Sequence, residues 1–419
     1  MPWETKDAQK LKWNLVQARL VRRETMSALC RRFGISRQCG YRWWARFARE
    51  GRRGLEEGSH RTAAAEQLQR RWKARVLALR RRQRTWGPRK LRWTLAAWFP
   101  RGPYPAERTI GRWLREAGHT QRRVRHSRRG PRETPPPAAA AVAPNDVWTV
   151  DFKGPFRTGD GRRVLPLTVR DLATRCILAV RHVPRADERS ARAVLRRVFR
   201  RYGLPRVVRV DNGTPFGGTG ARGLTTLSVW WLQLGIQVEF IRPGCPQDNG
   251  AHEQMHRVLK SATATPPAPN VVAQQRRFDR WRQHYNWHRP HEALGLQVPA
   301  KAYQPSARRW SATPPESDYP AGYTSLRLDA KGRCHWAGRQ RHVGRAFVGQ
   351  TLGLLRRQTD VTDVYLGPYL LGQLHHCDSA GLRPVRIRHP TGQEREGAAP
   401  PPATLPKSSF PPNRPVTYQ

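Results

Sequence analysis

With 419 residues the chain is longer than one ordinary hydrophobic core supports and predicts roughly two to four domains. Its 78 Lys and Arg against 30 Asp and Glu leave a net charge of +48, and self-repulsion of that size opposes compaction unless the working partner is a polyanion, nucleic acid first. Six scattered cysteines with no C-x-x-C pair exclude a zinc ribbon and a disulfide framework, and no apolar stretch is long enough to span a bilayer, so a soluble protein of a reducing cytoplasm is expected.

Residues 1–60 are expected to form a helix-turn-helix DNA-binding domain. In MSALCRRFGISRQCGYRWWARF (26–47), Ala28, Leu29 and Phe33 give a short apolar face, Gly34 breaks it, Ile35 packs in the turn and Ser36 caps a second helix. If that helix enters a major groove, Arg37, Gln38 and Arg42 are its base or phosphate readers, because Arg and Gln match purine edges bidentately. The alternative is a small helical bundle with a solvated basic face. Gly40, inside this helix, costs it about 1 kcal/mol.

Residues 61–120 are expected to be a second helix-turn-helix or winged-type unit. Val76, Leu77 and Leu79 lie in one helix, and Trp86-Gly87-Pro88 opens another whose Leu91, Leu95 and Trp98 are spaced for burial. ERTIGRWLREAGH (107–119) makes a third, with Ile110, Trp113 and Leu114 as its core stripe and Arg108, Thr109 and Arg112 outside. Residues 121–144, rich in Arg and then in Pro and Ala, read as a basic linker that tracks phosphates.

The segment 145–305 carries the chemistry. VWTVDFK (147–153), RRVLPLTVR (162–170) and RCILAVRHV (175–183) are strand-like runs. Asp187 caps an amphipathic helix that ends at Gly203, and RVVRV (206–210) is a short buried strand. A glycine-rich loop leads to a helix over 224–234, a strand over 236–241, a helix from near Gly250 and a last helix over 271–287. This order predicts an α/β layer with a mixed sheet.

Asp151 lies within the first of these strands, Asp211 directly follows the fourth, and Glu253 sits in the helix capped by Asn249. Arg257 and Lys260 follow Glu253 on its helix face, so an exposed ion pair is the simplest reading of that carboxylate alone. Three carboxylates converging on one sheet, however, would repel one another and take up protons unless a cation shared them. An all-oxygen trio points to Mg²⁺ or Mn²⁺. Asp171 reads as a turn residue, Asp248 as a cap or a solvated side chain, and His252, His256, His288 and His291 as DNA contacts or structure.

Between 306 and 390 a linker leads into TSLRLDAKGRCHWAGRQRHV and TLGLLRRQTDVTDVYLGPYLLGQL, which alternate apolar and polar residues between turns. Five or six short strands there predict a small all-β, SH3-like barrel. Cys334, His335, His375, His376 and Cys377 invite a zinc reading, but adjacent strand residues face opposite sides. Residues 391–419 are proline-rich and read as a disordered tail.

VWTVDFKG, VRVDNGTPF, and PGCPQDNGAHEQMHRVLK followed by HYNWHRPHEALG resemble the core of the Asp-Asp-Glu class of transposases, and within it bacterial insertion-sequence transposases with a retroviral-integrase-type core. The resemblance implies a ribonuclease-H-like fold with Asp151, Asp211 and Glu253 as catalytic and metal-binding residues. It also implies two Mg²⁺ (or Mn²⁺) ions, and Lys260, with Arg257, at the DNA end. The implied activity is DNA transposition: binding the terminal inverted repeats, cleaving the element's ends and joining the 3′-hydroxyls to target DNA. Double-stranded DNA and further copies of the chain are the implied partners, in a nucleoid-associated bacterial protein. Two rivals remain: an inactive DNA-binding regulator of this descent, and a ribonuclease-H-type nuclease without joining. The spacing from Asp211 to Glu253 exceeds the class's commonest pattern, and GGTGARG (217–223) is where a loop absorbs extra length cheaply.

Overall fold

A computed structural model of the chain describes residues 8–21, 23–56, 62–120, 140–242, 249–313, 318–377 and 381–384, together with the backbone of 386–388 and 394–396. Most of the expected linker, the turn at 243–248 with Asp248, and nearly all of the expected tail lie outside the described residues. The chain divides into two compact units, residues 1–79 and 80–419. Among the described residues no helix is long and apolar enough to cross a membrane.

In the first unit, α1 (Ala8–Leu20), α2 (Met26–Arg32) and α3 (Arg37–Glu50) enclose Leu15, Val16, Leu29, Cys30, Ile35 and Trp43. The caps are those that the side chains dictate. Thr25 Oγ1 accepts from the Ala28 amide at 3.3 Å, and Ser36 Oγ from the Cys39 amide at 3.2 Å. Gly34 takes the turn at φ +62°, which a side chain would resist. Gly40 has a different purpose: a Cβ there would lie 2.4 Å from Cys30 Sγ. The residue that weakens α3 is the one that lets α2 approach it. Arg37, Gln38 and Arg42 are exposed.

α4 (Ala63–Arg82), α5 (Pro88–Trp98) and α6 (Glu107–Glu116) follow. Leu91, Leu95, Ile110, Trp113 and Leu114 are buried as the periodicity predicts, but Trp98 is 58% exposed. The apolar stripe of α5 runs out at its last turn. Arg108 and Arg112 are exposed, and Arg112 reaches Glu116 at 3.5 Å.

The core sheet contains β1 (Val147–Phe152), β2 (Phe156–Arg157), β3 (Arg163–Asp171), β4 (Ile177–Val183), β5 (Val207–Val210) and β6 (Gln237–Phe240). Its order is β2-β3-β1-β5-β6, with β4 on the free side of β3. β3 is antiparallel to β1 and β4, while β5 is parallel to β1 and β6, so the sheet is mixed as expected. Alternation along the strands separates its faces. Trp148, Val150, Leu167, Val169, Val208 and Val210 bury against α7 (Glu188–Tyr202) and α8 (Thr226–Gln233). On the other side Val164, Ile177 and Val180 pack with Met255 and Leu259 of α9 (Gly250–Thr263) and Phe278 and Tyr285 of α10 (Val271–His288).

Among the described residues the outer edge of β4 has no strand partner, and α10 supplies side chains in its place. Asn286 Oδ1 accepts from the Ile177 amide and its Nδ2 donates to the Ile177 carbonyl, both at 2.9 Å. Gln275 does the same for the His182 amide and the Val180 carbonyl at 2.9 and 3.0 Å. Replacing buried Asn286 by Leu keeps its volume but strands two backbone groups, so a loss of about 2–4 kcal/mol is expected from urea unfolding. A loss below about 0.5 kcal/mol, the range of ordinary surface changes, would refute the edge-capping role.

Beyond the core, β7 (Thr324–Arg327), β10 (Thr351–Gln358), β11 (Val361–Leu366) and β12 (Tyr369–His375) form a sheet of order β12-β11-β10-β7. Among the described residues β8 (Arg333–Trp336) and β9 (Arg339–His342) form a two-stranded sheet of their own. Six strands are present where five or six are expected, but the barrel is not closed among the described residues: no strand joins β7 to β12, whose outer side meets a single bridge from Gln373 to Arg383, with Leu382 donating to the His342 carbonyl of β9. Apolar residues of this region instead share a core with Leu224, Val229 and Leu232 around α8.

Candidate active site

The parallel register of β1 and β5 pairs Thr149 with Arg209. Asp151 and Asp211 are separated by the same interval in the sequence, so the register carried two residues further sets them side by side on one face of adjoining strands. The antiparallel partner on the other side, Thr168, is opposite Asp151. This face is polar where the opposite one is apolar: Thr149, Asp151, Thr168, Arg170, Arg209 and Asp211 line it. Glu253 arrives from the first turn of α9. Buried Arg170 anchors that helix by donating to the Ala251 carbonyl.

Asn249 occupies the N-cap position of α9, but its side chain makes no cap hydrogen bond. Its Nδ2 donates to Asp151 Oδ2 at 3.3 Å instead. The expected cap is a brace for a carboxylate. Asp171, by contrast, is a turn residue, as its sequence context predicts: it accepts from the amide and hydroxyl of Thr174 at 2.8 and 2.6 Å and from the Asn145 amide at 2.7 Å.

The electrostatics are those of crowded acids. Burial, then the charge of Asp211 and, more weakly, that of Glu253, push the Asp151 carboxyl up to about 7, against the opposing hydrogen bonds of Phe152 and Asn249. Burial also raises Asp211, with the Gly213 amide opposing it. Asp211 Oδ1 is buried and accepts no hydrogen bond among the described residues. A desolvated, unpartnered carboxylate oxygen beside a second carboxylate is what a bound cation would satisfy, so the residues present fit a divalent metal. Glu253, Arg257 and Lys260 are exposed, and among the described residues no ion pair joins Glu253 to either cation. The exposed ion pair that is the simplest reading of Glu253 in isolation is not formed.

Two histidines on α9, His252 and His256, expected as DNA contacts or structure, adjoin Asp151. His252 Nδ1 lies 2.6 Å from Thr149 Oγ1 and its Nε2 2.6 Å from Thr168 Oγ1. His256 Nε2 is 2.8 Å from the same Thr168 hydroxyl, and its Nδ1 is 3.8 Å from Asp151 Oδ2. Burial drives His252 well below the usual histidine range, and burial together with Lys153 and Arg170 lowers His256 to about 3. Asp151, His252 and His256 are the one trio of potential metal ligands gathered among the described residues. The Cys334 to Cys377 set does not gather. The signal for the pair was available: residues 252 to 256 read H-E-x-x-H, which places both rings on one helix face. The zinc-hydrolase reading of that pattern does not fit, because both nitrogens of His252 are engaged.

The remaining predicted residues fall elsewhere. Arg37, Gln38 and Arg42 lie in the first unit, and Arg108 and Arg112 on α6. They are exposed and separate from the carboxylate site in sequence.

Integrase core domain models match residues 141–246 and 234–299, and a helix-turn-helix domain model matches 12–63. The chain is 31% identical over 262 residues to the insertion element IS407 uncharacterized 31.7 kDa protein of Burkholderia multivorans, covering 60% of this chain and 85% of the relative. It is 31% identical over 243 residues to the insertion element IS476 uncharacterized 39.2 kDa protein of Xanthomonas euvesicatoria, covering 54% of this chain and 63% of that relative. Among solved structures, the HTLV-2 integrase catalytic core domain in complex with magnesium is 11% identical with a TM-score of 0.33, covering 39% of this chain and all of that one.

Proposed function

Because the chain belongs to the family of bacterial insertion-sequence transposases with an integrase-type core, we propose that it binds the terminal inverted repeats of its element, cleaves the ends and joins the 3′-hydroxyls to target DNA. The observation that carries this is the convergence of Asp151, on β1, with Asp211, directly after the neighbouring β5, whose Oδ1 is buried and without a hydrogen-bond partner among the described residues.

In this reading Asp151, Asp211 and Glu253 hold Mg²⁺ or Mn²⁺, as one ion or two. When bound, the cations supply Lewis-acid activation of the attacking water or 3′-hydroxyl and offset charge on the leaving oxygen. The protein's own groups do the rest. Asn249 fixes the orientation of the Asp151 carboxylate. Exposed Arg257 and Lys260, free of ion pairs with Glu253 among the described residues, neutralise and position the DNA phosphates. Arg37, Gln38 and Arg42 read the repeat, and Arg108 and Arg112 add contacts, Arg112 by exchanging its exposed Glu116 partner for phosphate. The open C-terminal sheet contacts DNA or a further copy of the chain, several copies assembling on paired ends.

A labelled-end assay with Mg²⁺ or Mn²⁺ tests the reading. Joined products are expected. Cleavage without joining would identify a nuclease, and repeat binding with neither would identify a DNA-binding regulator; either result removes the proposal.

A further inference from the structure

The Thr168 hydroxyl touches three groups: the Asp151 carbonyl at 3.0 Å, His252 Nε2 at 2.6 Å and His256 Nε2 at 2.8 Å. It has one hydrogen and two lone pairs, and a carbonyl only accepts. All three contacts are satisfied in a single way, with the hydroxyl donating to Asp151 and both imidazoles donating their Nε2–H to the hydroxyl. His256 is then the neutral tautomer protonated on Nε2, and its Nδ1, which carries the free lone pair, lies 3.8 Å from Asp151 Oδ2.

Asp151 Oδ2, which accepts from Asn249 at 3.3 Å, keeps a further lone pair, so once Asp151 is ionised the two atoms are both acceptors and a cation is what joins them. Zinc bonds imidazole nitrogen and carboxylate oxygen at about 2.0–2.2 Å, so one ion of similar size spans the 3.8 Å between these atoms. The outer hydrogen bond also has the form found in metal-binding histidines, where the second ring nitrogen donates to a fixed acceptor and sets the tautomer. His252 cannot play this part: it is fully buried, and Thr149 and Thr168 occupy both its nitrogens.

We propose that His256 Nδ1 is a ligand of the cation held at Asp151, giving a mixed nitrogen and oxygen site that selects Mn²⁺ over Mg²⁺. The selection follows from donor type, since Mg²⁺ takes oxygen ligands and water in preference to imidazole, which suits the later divalent ions. The inference rests on the carboxylate site described above.

The test uses the untagged full-length protein loaded with Mn²⁺ and examined by pulsed electron paramagnetic resonance. The wild type is expected to show ¹⁴N modulation from one imidazole, which changes to the ¹⁵N pattern when the protein is grown on ¹⁵N-histidine. That measurement needs no variant. His256→Gln is expected to lose the modulation and to weaken Mn²⁺ binding on the order of 10–100-fold, with a much smaller change for Mg²⁺, while Asp211→Asn identifies which bound ion belongs to this site. Asp211-dependent Mn²⁺ without nitrogen modulation, or modulation that survives His256→Gln, overturns the histidine ligand and leaves the carboxylate site standing. No Asp211-dependent Mn²⁺ at all overturns both.

Discussion

Asp211→Asn is expected to abolish end joining while leaving repeat binding intact. The substitution keeps the shape of the side chain and removes one charge at the point where a buried oxygen has no protein partner. A cation stabilises the transition state of phosphoryl transfer by several kcal/mol, so losing an anionic ligand costs about 4 kcal/mol, or roughly 10³-fold in rate. Repeat affinity, proposed to reside on exposed basic residues elsewhere, is expected to change by less than about twofold, well inside the cost of one lost phosphate contact. Gel-shift and strand-transfer measurements on one preparation separate the two. Joining within tenfold of wild type would remove Asp211 from the machinery.

Asp151→Asn is expected to be equally inactive yet more stable than wild type in metal-free buffer at neutral and alkaline pH. In the folded protein the Asp151 carboxyl titrates near 7 against an ordinary value of 3.8. A raised folded value means that the native state binds a proton that the unfolded chain has lost. The stability this contributes is fully present below 3.8 and disappears as pH rises through about 7. Asparagine imitates the protonated form at every pH. Its advantage over wild type therefore grows between those limits and levels off above them, at up to about 4 kcal/mol. Asp211, Glu253, His256 and Lys153 surround the group in both proteins, so the comparison isolates residue 151. Urea unfolding at pH 5 and pH 8 in a chelator reads the effect, and added Mn²⁺ should close the gap by stabilising only the wild type. A difference that does not vary with pH would contradict the shifted carboxyl.

Much of this arrangement was legible in the sequence because it is governed by local rules. Period-two alternation in VWTVDF already assigns Asp151 to the face opposite Trp148 and Val150, and turn residues around 203–206 and 211–213 fix where β5 starts and ends. The helices were found from their caps, Ser36 and Asp187 among them, each of which accepts from the amide three residues on. What was not legible depends on contacts between distant elements. Asn249 has the chemistry of a cap, and only the approach of α9 to β1 reveals that its amide serves Asp151. Gly40 reads as a flaw until Cys30 is seen against it. Trp98 fits the stripe of α5 but lies beyond the core that would cover it. The histidine pair needed Thr149 and Thr168, more than eighty residues away in sequence, to acquire a role. The C-terminal strands were predictable one by one, whereas closure of a barrel depends on which edges meet.

The side chains of Gln275 and Asn286 make α10 a surrogate for a seventh strand. A strand edge satisfied in this way offers no free ladder to another polypeptide, so a second chain cannot extend the sheet through β4. The protection lasts only as long as the helix is docked. If α10 frays, the same amides and carbonyls become a template for β-augmentation, so the solubility of the protein during synthesis depends on a helix that is completed more than ninety residues after the strand it shields.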